Sequence, residues 1–443
     1  MLEKMNLLVP GMVFGDRYLI GKMMSKNEEC AIFRGYDRVL EQFVLVRQKL
    51  ADVEERVFLE KAKWFSLFDS AENIVDIYRY EKLSGYSLMI HAYHDGAVGI
   101  CEVPEEAESD CVQIRKEDVM LGADGVYYVL DFHISVDYCV ADQEESGAAE
   151  PVIAKGEDRQ VLSPGMMVKE QYKIIRTIGM GGFGITYLAL DTMLNRLVAV
   201  KEYMPSGWVT RDGQSGCVEV LSSSVLEGYK KGLQKFREEA VCMARFQSHP
   251  SVASVYDLIY ERESAYLVME YIEGENLGRF GKLIGGFSYE AARDLFLKVL
   301  YTIKEIHEEG IIHGDISPGN IILTQKNEVK LIDFGSAHLP GKPARMLSEM
   351  MLKPGYAAIE QYDEEYPEDE RTDIYQAAAT FYTLITGKRP EEANSRWKKD
   401  ELRFPSELGI EMPQEEEQAL RKALEVKPEQ RMRDVDEWIS VFV

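Results

Sequence analysis

The sequence predicts an α+β fold, and three observations carry that reading. Apolar runs such as "VAVKEYMP" and "YLVMEYIEGENL" have the character of buried strands, the second leaving into a polar connector. Apolar positions recur at helical spacing in "KFREEAVCMARF" and "RDLFLKVLYTIKEIHEEG". A β-rich stretch near the start of the chain recurs in its middle at a fixed offset, so the β-rich part is a duplicated unit.

The first copy begins "LVPGMVFGDRYLI" at Leu8 and the second "LSPGMMVKEQYKI" at Leu162. The match runs without a gap, at an offset of 154, as far as Arg47 and Lys201, with ten of forty positions identical, among them Tyr18/Tyr172, Asp37/Asp191 and Val46/Val200. After a gap, "FLEKAKWFSLF" from Phe58 tracks "FREEAVCMARF" from Phe236, and "YSLMI" from Tyr86 tracks "YLVME" from Tyr266. Alternating segments such as "DGVYYVLDFHISVDY" predict further strands in 95–142. The small, polar, acidic stretch 143–161 reads as a linker, which divides the chain into units at 1–142 and 162–443.

Composition narrows the function. Lys and Arg number 51 against 76 Asp and Glu, a net charge of −25, so the basic surface that a nucleic-acid or anionic-membrane binder needs is missing. The six cysteines form no CxxC pair and no His-flanked metal spacing, which suits free thiols in a reducing compartment. No apolar stretch approaches a membrane span, the N-terminal apolar run is short for a signal peptide, and the expected location is cytoplasmic.

Chemistry concentrates in the second unit. "IGMGGFGITYLAL" sets Gly179, Gly181 and Gly184 between two strand-like runs, where a dinucleotide fold would begin a helix. Lys201 follows in an apolar strand, where an ammonium needs anionic partners such as nucleotide phosphates and a helix carboxylate. Glu239 is the candidate carboxylate, with Glu238 its competitor one position round the helix. The backbone of Glu270 to Ile272 is a candidate adenine site. In "HGDISPGN", Asp315 precedes Asn320 by five residues, and Asp333 of "KLIDFGSA" lies thirteen further on. Such groups suit a base at a substrate hydroxyl beside an amide oxygen and a carboxylate for Mg²⁺.

Taken in order, these motifs resemble the eukaryotic-like serine/threonine protein kinases of bacteria, over residues 162–443. The resemblance implies a two-lobed fold with a β-rich small lobe and a mainly helical large lobe. It implies ATP with Mg²⁺, or Mn²⁺ in its place, as cofactors and protein hydroxyls as acceptors. Ile178, Gly179, Gly181, Gly182, Phe183, Gly184 and Lys201 would hold the nucleotide with Glu270 and Ile272, Glu239 would pair with Lys201, Asp315 would be the catalytic base, and Asn320 and Asp333 would bind the metal. Ala358, Ile359 and Glu360 match the end of the activation segment, Arg431 the partner of that glutamate, and Asp373 the helix-start residue that supports the catalytic loop.

The departures are as specific as the matches. Gly314 stands where the family places Arg, Ser317 where it places a basic residue, and Lys353 where it places a Thr of the activation segment. Hydroxyl and ammonium have exchanged positions, so Lys353 and Ser317 join the catalytic candidates. The first copy reads as a degenerate small lobe: Ser25, Asn27 and Cys30 replace the loop glycines, and Arg47 and Lys61 replace the Lys201 and Glu239 pair with two like charges. Its expected role is docking on the kinase unit or a partner. A nucleotide-binding scaffold without activity and a small-molecule phosphotransferase are the alternatives. The long connection between Lys201 and Glu239 is either a regulatory element or a surface hairpin.

Overall fold

The computed structural model describes residues 161–443 apart from breaks, the longest at 339–351. In the first part it describes most of residues 7–67 and 77–92 and short strands between 96 and 134. Residues 143–160 of the predicted linker and Asn27 lie outside the described residues.

Among the described residues, the first unit is a six-stranded antiparallel sheet with one helix: β1 (Val13–Phe14), β2 (Tyr18–Lys26), β3 (Cys30–Asp37), β4 (Gln42–Lys49), α1 (Glu55–Leu67), β5 (Ile77–Leu83) and β6 (Tyr86–Ala92). Five short strands follow, β7 (Gly96–Val98), β8 (Val112–Gln113), β9 (Val119–Gly122), β10 (Tyr127–Val129) and β11 (His133–Ile134), the last two within the stretch whose alternation predicted strands. The second unit opens with β12 (Met167–Val168), β13 (Tyr172–Met180), β14 (Gly184–Asp191) and β15 (Arg196–Tyr203). A hairpin, β16 (Val209–Arg211) and β17 (Val218–Val220), leads into α2 (Ser223–Ala244), and β18 (Val255–Glu261) and β19 (Ser264–Glu270) complete the sheet.

The two sheets have the same strand order, β1-β2-β3-β4-β6-β5 and β12-β13-β14-β15-β19-β18. Their registers coincide at the offset of 154: Tyr18 faces Asp37 as Tyr172 faces Asp191, and Arg47 faces Ile32 as Lys201 faces Thr186. Beyond the helices the offset is 178, since Ile77 faces His91 as Val255 faces Met269. The equivalent of Tyr86 is therefore Ser264, two residues from the Tyr266 that the sequence match selects. A slip of two leaves every side chain on its own face, so alternation alone does not fix it.

The large lobe follows: β20 (Gly274–Asn276), α3 (Leu277–Ile284), α4 (Tyr289–Glu308), β21 (Ile321–Thr324), β22 (Val329–Leu331), α5 (Glu370–Thr386), α6 (Ala393–Lys398), α7 (Gln414–Ala423) and α8 (Val435–Phe442). Helix α4 starts at Ser288, whose side chain accepts from Ala291 N, and buries Leu295, Phe296, Val299, Ile303 and Ile306 along one face. Helix α5 is buried along almost its whole length, starts on an Asp369 cap and stops at Gly387 with φ of 69°. Phe296, Phe381, Trp438 and Phe442 form the aromatic centre between α4, α5 and α8. Among the described residues no helix is long and apolar enough to cross a membrane.

The long connection folds into the hairpin β16–β17, with a useful anchor. Its hairpin is pinned by a buried ion pair between Arg211 Nη2 and Glu202 Oε2 at 2.6 Å, and its first residues hold the glycine loop, with Met204 N on Phe183 O at 2.9 Å and Ser206 N on Gly182 O at 2.8 Å.

Candidate active site

Lys201 sits in β15 between the glycine loop and α2. Helix α2 turns Tyr229, Gly232, Phe236, Glu239, Ala240 and Met243 inward, a helical stripe that carries one carboxylate. Tyr203 packs on Tyr229 and Phe236 at centroid distances of 5.2 and 5.8 Å, which sets the helix against the sheet. Lys201 Nζ then meets Glu239 Oε1 at 2.6 Å and Asp333 Oδ1 at 2.9 Å. The competitor Glu238 is exposed and accepts from Gln234. Burial opposes the ammonium, but Asp333 and Glu239 outweigh it and raise the Lys201 pKa. Burial likewise pushes the Glu239 carboxyl up to about 7 against the pull of Lys201. Asp333, partly buried, is held well below the usual carboxylate range by Lys201 and Lys353.

In the glycine loop, a Cβ added at Gly182 would meet nothing within 4 Å, and one at Gly181 only the Gly184 carbonyl oxygen at 3.9 Å. The protein's own packing does not demand glycine there, whereas a ligand phosphate approaching the backbone would. Ile178 is 37% exposed, and at the other end of the sheet Glu270 and Ile272 begin the connector to the large lobe. Glu270 binds Lys330 through its side chain, which fixes the connector without using its carbonyl oxygen.

The catalytic loop hangs from α5. Asp373 accepts from the backbone N of His313 and of Gly314, each at 2.8 Å, and lies 2.8 Å from His307 Nε2. Gln376, one turn on, accepts from Ile316 N and donates to Gly314 O at 2.7 Å, and Gln361 donates to the same oxygen at 2.9 Å. Gly314 has φ of 73°, and a Cβ there would stand 2.8 Å from Ser336 O, so glycine at this point is what the local backbone requires. Phe334 packs on His313 at 4.6 Å and on Phe246 at 5.6 Å. Glu360 is clasped by Arg431 through bonds of 2.6 and 2.9 Å, both groups buried.

Asn320 Nδ2 donates to Asp315 Oδ2 at 2.8 Å and to Asp315 O at 2.9 Å. Lys353 Nζ lies 2.9 Å from Asp315 Oδ2 and 3.0 Å from Ser317 Oγ. Burial raises the Asp315 pKa, with Lys353 opposing it and Asp333 adding to it. The three carboxylates of Glu239, Asp315 and Asp333 face two lysines, an excess of negative charge that suits a divalent cation. Oxygen donors from Asp333 and Asn320 fit Mg²⁺, and two protein ligands leave the remaining positions to phosphate oxygens and water.

In the first unit Arg47 is buried at the Lys201 position. Lys61, at the Glu239 position, is bound by Glu29, a residue that falls on Phe183 of the second copy. The expected repulsion between Arg47 and Lys61 is thus relieved by a carboxylate in the place of the phosphate loop, which the sequence repeat did not single out.

The profile of the family described as "Protein kinase domain" matches residues 172–437. A probable serine/threonine-protein kinase of Clostridium acetobutylicum is 28% identical over 279 residues, covering 62% of this chain and 39% of its own length. PknA, a serine/threonine-protein kinase of Mycobacterium tuberculosis, is 31% identical over 237 residues, covering 52% of this chain and 50% of its own length. This chain therefore spans half or less of these relatives. The solved structure titled "PpkA-294 apo form" is matched over its full length and 64% of this chain, at 31% identity and a TM-score of 0.57. Since the profile covers more than half of the residues and the lysine, glutamate and aspartate of its motifs meet in one site, this chain belongs to the protein kinase domain family.

Proposed function

We propose that residues 162–443 transfer the γ-phosphoryl group of ATP to serine or threonine hydroxyls of protein substrates, with Asp315 as the base. The observation that carries this is the position of Lys353, with its ammonium 2.9 Å from Asp315 and 3.0 Å from Ser317. It restores a cation beside the base in a loop whose own sequence lacks one. In this reading Asp315 accepts the proton of the acceptor hydroxyl, Lys353 neutralises charge on the transferring group, and Ser317 steers the lysine. Ile178, Gly179, Gly181, Gly182, Phe183 and Gly184 cover the phosphates, Lys201 orients them, Glu239 holds Lys201, and the backbone of Glu270 and Ile272 takes the adenine. Asn320 and Asp333 hold Mg²⁺ or Mn²⁺, which supplies positive charge to the phosphates when bound.

Residues 1–142 are in this reading a non-catalytic unit that docks on the kinase unit within one chain, supported by the contacts of Arg17 with Asp257 at 2.5 Å and Arg237 with Glu41 at 2.5 Å. Arg237 stands two residues from Glu239 on α2. The test is transfer of γ-phosphate to a generic protein acceptor beside a panel of amino sugars and choline, with Asp315→Asn as control. Transfer to protein alone is expected. Transfer to the small molecules alone, or nucleotide binding with no transfer, overturns the proposal.

A further inference from the structure

Edge strands β5 and β18 of the two sheets lie against each other, and each offers a carbonyl oxygen to an arginine of the other unit. Arg79 of β5 donates to the carbonyl oxygen of Tyr256, and Arg196, on β15 where the first unit has Gln42, donates to that of Tyr78 at 2.8 Å. The register makes Tyr78 and Tyr256 equivalent, and likewise Arg79 and Asp257. Both strands carry an irregularity at the same place, after Ile77 and after Val255. Two copies of one fold therefore meet about an approximate two-fold relation, each offering the same strand.

At the shared positions, Tyr18 and Tyr172, Asp37 and Asp191, and Tyr78 and Tyr256 are unchanged. The charged positions at the centre are not. Arg79 faces Asp257 at 3.7 Å, and Arg17, the equivalent of Gln171, adds a bond of 2.5 Å to Asp257. Arg17 and Arg79 also hold Asp37 at 3.0 and 2.7 Å, while Lys169 reaches Asp257 at 3.0 Å and Glu81 at 3.3 Å. Arg79, Asp37 and Asp257 are all fully buried. Two second units placed in this way would bury Asp257 against Asp257, and two first units Arg79 against Arg79. Across the contact, Arg79 meets Asp257 only when one unit of each kind is present.

We propose that the first unit is a built-in partner for the kinase sheet, matched to it by Arg79 and Asp257 at equivalent positions, so that the chain closes this surface on itself and excludes a second copy. The proposal rests on the docking reading above and refines it to a charge-matched pairing of unlike repeats. It makes no use of phosphoryl transfer, so it stands or fails separately from the activity.

The experiment uses the full chain with a protease site introduced into the acidic segment 143–160. After cleavage of the folded protein, the two halves are expected to elute together, and the intact chain to be monomeric by light scattering. Arg79→Leu and Asp257→Leu should each weaken association of the cleaved halves by tenfold or more. The double variant should weaken it by much less than the product of the two, as directly paired charges require. Lys169→Ala, at an exposed position whose ammonium reaches Glu81 of the first unit at 3.3 Å, should weaken it severalfold and serves where the buried variants unfold. Separation of the wild-type halves overturns docking itself. Co-elution with effects that simply multiply overturns the charge pairing alone, and a dimer of intact chains that Asp257→Leu dissociates overturns the exclusion of a second copy.

Discussion

Lys353 Nζ and Asp315 Oδ2 stand 2.9 Å apart, although 38 residues separate them and one comes from the activation segment and the other from the catalytic loop. The pair contributes little to stability, because Lys353 is over a third exposed, and its proposed part is to neutralise charge on the transferring group. Lys353→Ala is expected to lower turnover about a hundredfold with ATP affinity nearly unchanged, the pattern of a lost transition-state donor. Ser317→Lys combined with Lys353→Thr should recover part of that loss. Steady-state kinetics with nucleotide titration checks both, and wild-type turnover in Lys353→Ala would refute the exchange.

The pH profile should move in a set direction. Burial raises the Asp315 pKa and Lys353 pulls it down. A base acts in its ionised form, so kcat/KM rises as pH climbs through the pKa of free Asp315. Removing the ammonium in Lys353→Ala takes away the main opposing influence and shifts this acidic limb to higher pH. Lys353→Arg keeps a cation and should leave the limb near its wild-type position. An unmoved limb in Lys353→Ala would mean that the ammonium does not act on Asp315.

Activity is expected without phosphorylation of the activation segment. Gly314 has no side chain to contact a phosphate, and Gln361 and Gln376 already fix its carbonyl oxygen. A carboxylate is also in place, since Glu368 is buried with Oε2 3.4 Å from Gln361 Nε2 and 3.9 Å from His338 Nε2. Phosphatase-treated protein and the Ser336→Ala and Ser348→Ala variants should keep wild-type activity, read as initial rates. Ser348 lies outside the described residues. Loss of activity on phosphatase treatment would contradict the expectation.

One nucleotide should bind per chain. In the first unit Arg47 replaces the lysine and Glu29 occupies Lys61 from the loop, so an incoming phosphate would meet a carboxylate. Calorimetric titration should return a stoichiometry of one, unchanged in Arg47→Ala. A second site that disappears in Arg47→Ala would show the first unit to be competent.

Much of this site was legible because kinase chemistry is written in short spacings. Lys201, Glu239 and Asp333 meet as the motifs require, and Asp373 and Arg431 support the loop and Glu360. The repeat predicted two like sheets, but period-two alternation left the last strands two residues out of step, at Tyr86 against Tyr266. Gln376 was a missed support whose signal was present, since it stands one helical turn after Asp373 and shares its face. Glu29 and Glu368 left no such signal. Their partners, Lys61 on α1 and His338 near the catalytic loop, are brought to them by folding, and no local pattern of residue types marks the pairing.

The meeting of β5 with β18 joins segments of one chain that lie on either side of the stretch 143–160. In the proposed docking, association between them is first order, and the connecting segment would set the local concentration of one unit around the other. Dilution of the protein, or a change in its abundance, leaves the bound fraction unaltered. A signal that separates the units would therefore act at the contact, by competing for the charges around Asp257, or on the connecting segment, by lowering that local concentration.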